Sequence, residues 1–312
     1  MNISKGNFLG LLGISLATAL LSLSSKAVGV ETTDAIASQI NVFQAFVLGM
    51  VQGLTEFLPI SSTAHLKIVP VALGWGDPGV GFTAVIQLGS IAAVLWYFWE
   101  DLRKITMGAY KALQESDRQS LDLRMAIGIA LGTLPVVFFG VLIKIFIPDF
   151  DNSPLRSTTA IAIASIVMAL LLGLAERIGS RERNFEQLDI RDGILMGLAQ
   201  ALALIPGVSR SGSTITGGLF MGLERATAAR FSFLLGIPAI TIAGLVELKD
   251  LISEGFGSVG VLAIVVGVIS AALFSYAAIA WLIKFLQTQN TWVFVWYRLA
   301  FGVAILVAIA SN

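Results

Sequence analysis

Residues 52–65 run Gln52-Gly-Leu-Thr-Glu56-Phe-Leu-Pro59-Ile-Ser61-Ser62-Thr63-Ala-His65. Residues 200–214 run Gln200-Ala-Leu-Ala-Leu-Ile-Pro206-Gly207-Val-Ser209-Arg210-Ser211-Gly212-Ser213-Thr214. In each, a short hydrophobic helical pattern meets a proline, then a cluster of hydroxyls with one positively ionisable residue. Both lie in sequence otherwise apolar enough for a bilayer. Lipid satisfies neither a freed backbone group nor a buried charge, so a break with an Arg and a Glu beside it is costly there. A polar ligand is the expected compensation.

Working outward, 56% of the 312 residues are hydrophobic and only 13% are charged. Soluble domains carry about 25% charged residues, so the chain reads as an all-α polytopic membrane protein. Twenty basic and twenty acidic residues cancel, giving no reason to expect nucleic acid as a partner. There is no cysteine, which excludes disulfides, thiolate nucleophiles and zinc–cysteine sites. His65 is the single histidine, so a multi-histidine metal site is excluded too.

Six apolar stretches are long enough to span about 30 Å of hydrocarbon: 79–99, 125–147, 158–175, 227–246, 259–283 and 292–310. Two further regions, 41–73 and 192–222, are interrupted near their middles by the quoted motifs. Their halves are too short to cross alone, and a re-entrant helical hairpin fits each better. The order is hairpin, three spans, hairpin, three spans. Three spans end on the opposite side, so the second hairpin enters from the other face, which predicts an inverted-topology repeat. The halves fall at about 41–175 and 192–310, within one membrane-embedded domain over 41–312. Direct similarity between them is confined to Gly49-x-x-Gln52-x-Leu54 against Gly197-x-x-Gln200-x-Leu202 and the proline break.

Residues 1–40 form a separate N-terminal segment. An apolar run over 8–23 follows Lys5 and precedes Ser-Ser-Lys-Ala27, which suits a cleaved signal peptide or an uncleaved anchor. Residues 28–40 read as a polar linker. Basic residues near span ends set the orientation. Arg103, Lys104, Lys111, Arg118, Arg124, Arg177, Arg181, Arg183, Arg191, Arg225, Arg230 and Lys284 share one face, expected to be cytoplasmic; Lys144, Arg156 and Lys249 share the other.

In the second motif Pro206-Gly207 allows a sharp turn, and Ser211 or Ser213 can cap a following helix. Its free N–H groups and positive dipole end then point at the break, and Arg210 adds a planar fork suited to phosphate oxygens. The plain alternative is a capped loop with Arg210 snorkelling. In the first motif Gln52 and Glu56 are four apart and share a helical face. A divalent cation, or Arg210, would offset the cost of the Glu56 carboxylate. Among Ser61, Ser62 and Thr63, one is expected to cap and one to work. His65, within a turn of these hydroxyls, is expected to be catalytic rather than a hydrogen-bonded core histidine. Gln87 and Arg298 either line the cavity or bond between helices. Glu224, Arg225 and Arg230 read as an ion-paired cytoplasmic cap.

The stretch Gln52-x-x-x-Glu56-Phe57-Leu58-Pro59-x-Ser61-Ser62-Thr63-x-His65, with Pro206-Gly207-x-Ser209-Arg210-Ser211-Gly212-x-Thr214, resembles the signature of the undecaprenyl-diphosphatase family, also called bacitracin-resistance protein. The resemblance covers roughly residues 41–312. Gln52 stands where the family has Glu or Gln, which concentrates the metal role on Glu56; Ala64 stands where the family usually has Gly. The resemblance implies hydrolysis of undecaprenyl diphosphate to undecaprenyl phosphate and phosphate, which recycles the lipid carrier for cell-wall synthesis and confers bacitracin resistance. It also implies a divalent cation, Mg2+ or Ca2+, and a bacterial inner-membrane protein with its site open to the outer face.

In the mechanism expected from this inventory, Arg210, Ser209, Ser211, Thr214, Gln52, Ser61 and Thr63 contact the diphosphate. Glu56 with Gln52 holds the cation. Ser62 is the nucleophile, with His65 or Glu56 as base, and attack by an activated water is the alternative. A secondary transporter or lipid-carrier flippase is the rival reading, since broken helices in inverted repeats suit transport. The oligomeric state, a homodimer included, is open.

Overall fold

The computed structural model describes residues 40–147, 149–150, 153–254 and 260–311. The expected signal or anchor over 8–23, and all of the linker but Ile40, lie outside the described residues. Among the described residues there are helices and no strand, only an isolated bridge between Arg183 and Leu223.

The helices, in chain order, are α1 (Val42–Phe57), α2 (Ser62–Ala72), α3 (Val80–Tyr97), α4 (Trp99–Gln114), α5 (Leu121–Phe146), α6 (Thr158–Ile178), α7 (Ile190–Ala201), α8 (Arg210–Phe220), α9 (Arg225–Glu254), α10 (Val261–Leu286) and α11 (Trp292–Ala310). α5, α6, α9, α10 and α11 are each long and apolar enough to cross a membrane. α3 joins them if it and α4, bent by 62° at Phe98, count as one span. Their outer faces carry large exposed side chains such as Phe138, Leu170, Leu273 and Trp296, a surface suited to lipid rather than water. The chain is a multi-pass membrane protein. α4 had no counterpart in the hydropathy reading: it is amphipathic, burying Ile105, Ala109 and Ala112 beside charged residues such as Glu100 and Asp101.

Both broken regions fold as short helix pairs. α1 and α2 have 16 and 11 residues, α7 and α8 have 12 and 11. At 1.5 Å per residue none except α1 exceeds about 18 Å. α1 packs along α10 and α7 along α5. The close approach comes from small residues, since a Cβ on Gly49 would collide with the Gly267 carbonyl and one on Gly197 with the Gly132 carbonyl. Gly197→Ala is therefore expected to destabilise the protein by about 1–3 kcal/mol through overpacking. Thermal unfolding in detergent checks this, and an unchanged midpoint would contradict the close packing.

Of the expected ion-paired cap, Arg225 and Arg230 are paired, while Glu224 forms no ion pair among the described residues. Arg225 donates to Glu176, whose carboxylate also accepts from Thr291 Oγ1 at 2.8 Å. Arg230 pairs with Asp101, and Arg183 with Asp192 at 2.6 Å. The Asp192 carboxylate holds the Arg183 guanidinium above its ordinary pKa. The first two pairs join α9 to α6 and to α4, and the third ties the loop before α7 to the first turn of that helix.

Candidate active site

The two breaks have the same local form. Ser61 (φ 74°) and Ser209 (φ 73°) are both in the left-handed region, unusual for a residue with a Cβ. Each caps the helix that follows: Ser61 Oγ accepts from the Ala64 N–H at 3.4 Å, and Ser209 Oγ from the Gly212 N–H at 3.1 Å. Ser209 thus takes the role expected of Ser211 or Ser213, because the helix starts at Arg210, two residues before the start that a Ser211 cap would give. The freed hydroxyls turn elsewhere, Ser211 Oγ donating to the Leu58 carbonyl and Ser213 Oγ to that of Arg210.

Arg298 holds the breaks together. It is 1% exposed, and among the described residues no carboxylate pairs with it. Nη1 donates to the Pro59 carbonyl at 3.1 Å, Nη2 to those of Gly207 and Val208 at 2.8 and 3.0 Å, and Nε to that of Ser165 at 3.3 Å. One guanidinium fork thereby ties the first break to the second and leaves a buried positive charge behind them. Arg298 is an anchor between helices, not a cavity-lining group.

On the other side of the breaks Glu56 is the hub. Its Oε2 accepts from Ser62 Oγ at 2.7 Å and from Gln52 Nε2 at 3.2 Å; its Oε1 faces Arg210 Nη2 at 3.3 Å. The Glu56 and Arg210 side chains are 9% and 10% exposed. Arg210 also lies over the Phe57 ring at 5.6 Å, in the space left by the missing side chain of Gly236. Its Nε and Nη1 are buried without a hydrogen-bond partner. Donors left this way cost free energy unless a ligand or water accepts from them.

A cavity of about 180 Å³ lies here, lined by Glu56, Ser61, Ser62, Thr63, Gln200, Ser209 and Arg210, with apolar walls from α5 and α9 that include Val136, Ala239 and Ala243. A second, of about 280 Å³, contains Gln52, Lys67, Asp77, Arg156 and Glu247, and meets the first at Ser62, Thr63 and Gln87.

Most of the sequence-derived residues converge on these cavities. His65, Ser211 and Thr214 do not line either. The His65 ring is stacked against Phe301 (4.4 Å) and Tyr297 (5.6 Å) and is 2% exposed. Nδ1 lies 2.7 Å from the Ser61 carbonyl and must donate to it; Nε2, 2.6 Å from the Tyr297 hydroxyl, then accepts from it in the neutral ring. The geometry is that of a hydrogen-bonded core histidine which braces the Ser61 turn. Thr214 Oγ1 is likewise turned inward, to the Arg210 carbonyl and Ser232.

Among the described residues no three His, Cys, Asp or Glu side chains cluster to cage a metal. The donor set fits a cation of another kind, one that keeps water and substrate oxygens and takes a single protein carboxylate, as Mg2+ does.

The model of the bacitracin resistance protein BacA family matches residues 45–304. The chain belongs to that family. Among its relatives, the undecaprenyl-diphosphatase of Trichodesmium erythraeum (strain IMS101) is 70% identical over 298 residues, covering 95% of this chain and 96% of that protein. The undecaprenyl-diphosphatase of Nostoc sp. is 70% identical over 274 residues (88% and 86%), and that of Synechocystis sp. 64% over 300 residues (96% and 91%). The BacA match begins inside α1 and ends inside α11, so it takes in both breaks and Arg298.

Proposed function

We propose that this chain is an integral-membrane undecaprenyl-diphosphate phosphatase, hydrolysing the lipid diphosphate to undecaprenyl phosphate and orthophosphate for reuse in cell-wall synthesis. The observation that carries the reading is the Glu56 carboxylate, which accepts from the Ser62 hydroxyl on one break and faces the Arg210 guanidinium on the other. The names of the relatives agree with it. Bacitracin resistance follows from the same activity, because faster turnover of the diphosphate withdraws the drug's target.

In this scheme the terminal phosphate lies between Ser62 and Arg210, and the apolar walls from α5 and α9 receive the start of the prenyl chain. Ser62 Oγ attacks the terminal phosphorus as its proton passes to Glu56 Oε2. A Ser62 O–P bond forms, the bridging P–O bond breaks, and undecaprenyl phosphate leaves, taking the proton from Glu56. Water then attacks the phosphoserine; Glu56 takes the proton and returns it to Ser62 as orthophosphate departs. Arg210 and the N–H groups at the start of α2 and α8 stabilise charge on the transferring phosphoryl group. Glu56, not His65, is the base here, because the Ser62 hydroxyl already points to it. Glu56 and Gln52 would hold Mg2+ or Ca2+, which would neutralise charge on the diphosphate.

The inverted repeat belongs to this proposal. It is supported by α1 packing on α10 as α7 packs on α5, by the matching φ of the two cap serines, and by the 12-residue spacing from Gly49 to Ser61 and from Gly197 to Ser209. The two short pairs then re-enter from opposite faces. In a bacterial inner membrane the basic residues put the ion-paired cap in the cytoplasm and Arg156, in the second cavity, on the outer side.

The test is orthophosphate release from a prenyl diphosphate by the purified protein in detergent, with no gradient across a membrane. Release that EDTA blocks is expected; lipid movement in vesicles without release would favour the flippase. Brief incubation with substrate labelled in the terminal phosphate should trap a label on Ser62. Ser62→Ala that retains turnover would remove the covalent route and leave direct attack by water.

A further inference from the structure

Gln52 and Gln200 each stand nine residues before a cap serine, Ser61 and Ser209 respectively. Their surroundings differ. Gln52 Nε2 donates to Glu56 Oε2 at 3.2 Å and to Ser90 Oγ at 3.4 Å. Four residues after Gln200 the chain has Leu204 in place of a carboxylate. Gln200 is fully buried, it lines the cavity that holds Ser62 and Arg210, and neither its Nε2 nor its Oε1 has a hydrogen-bond partner. A buried carboxamide with nothing to bond is unfavourable, and an apolar side chain of the same size would remove the cost. Arg210, which lines the same cavity, carries two further unpartnered donors, Nε and Nη1.

We propose that the Gln200 carboxamide is a direct ligand of the diphosphate head, Nε2 donating to a non-bridging oxygen of the terminal phosphate and Oε1 accepting from a water or a phosphate hydroxyl. This rests on the reaction taking place in that cavity. The donors then outnumber the acceptors, which suits an anion. The amide adds hydrogen bonds to the phosphate without adding charge, while Arg210 supplies the charge. The two halves divide the work: the first glutamine orients the carboxylate that takes the serine proton, and the second, with no carboxylate to orient, faces the substrate.

The experiment uses purified full-length protein with Gln200→Met and Gln200→Glu, and Arg210→Lys alongside. Gln200→Met matches the side chain in length and removes both polar atoms. It should raise KM for a prenyl diphosphate about tenfold, the effect of one lost hydrogen bond to a charged group. Its melting temperature should be unchanged or higher. Gln200→Glu should raise KM further, since a carboxylate opposes the phosphate. If turnover is too low for a KM, the shift in melting temperature produced by orthophosphate is compared; wild type should gain and the variants should not. A Gln200→Met protein whose KM, or orthophosphate shift, matches wild type overturns the assignment. Should Arg210→Lys also keep wild-type kinetics, the placement of the reaction in this cavity fails; should Arg210→Lys lose turnover while Gln200→Met does not, only the role of Gln200 fails.

Discussion

Glu56→Gln is expected to lower kcat by about 10³-fold, within the usual range for removing a positioned general base, while KM, measured at a saturating concentration of divalent cation, stays level or falls. The amide keeps the size of the side chain and can still accept from Ser62 Oγ, now 2.7 Å from Glu56 Oε2, but it cannot take that proton in the transition state. It also releases Arg210, whose Nη2 now faces Glu56 Oε1 at 3.3 Å, so the guanidinium meets the phosphate with its full charge. Tighter ground-state binding with slower chemistry is the signature to look for. Steady-state kinetics of orthophosphate release check it. A kcat within a factor of ten of wild type would move the proton acceptor elsewhere. A large rise in KM with kcat unchanged would make Glu56 a binding group only.

How far the sequence foretells this site depends on what kind of atom does the work. The breaks were legible because Pro59 and Pro206-Gly207 are side-chain signals of backbone behaviour, and the hydroxyls after them announce helix caps. The Glu56–Arg210 pair was legible too, since each is an isolated charge in apolar sequence and each needs compensation. The direction of a side chain on a short helix was not. His65 sits in a run of hydroxyls and a carboxylate along the chain, yet one turn of α2 carries its ring to Tyr297 and Phe301, contributed by a helix more than 200 residues away. Ser211 and Thr214 turned inward for the same reason. Gln200 was visible inside the second motif, but its unpartnered state depends on the packing of α7. α4 was missed because a helix in which charged and apolar residues alternate by face has no long apolar run to find.

Arg298 shows the same limit from the other side, and the second large effect is expected there. An arginine inside the apolar run Trp292–Ala310 is conspicuous, but its four acceptors are backbone carbonyls of Pro59, Ser165, Gly207 and Val208, and a carbonyl has no side-chain signature. Arg298→Met would leave these buried acceptors without their donor, and each one so orphaned costs about 1–3 kcal/mol. The losses are coupled and will not sum, yet a destabilisation of about 3–5 kcal/mol, large for a single substitution, is expected. Thermal unfolding in detergent measures it. Arg298→Lys separates holding from positioning. Its ammonium keeps the charge but lacks the planar fork that reaches Pro59 on one break and Gly207 on the other. The protein should stay folded while the breaks shift relative to each other. A misplacement of about 1 Å between Ser62 and Arg210 is enough to cost about 100-fold in turnover. That loss should appear mainly in kcat, with most of the thermal stability retained. Wild-type turnover in Arg298→Lys would mean that the two breaks keep their register without the fork, and that α1 on α10 and α7 on α5 suffice to align them.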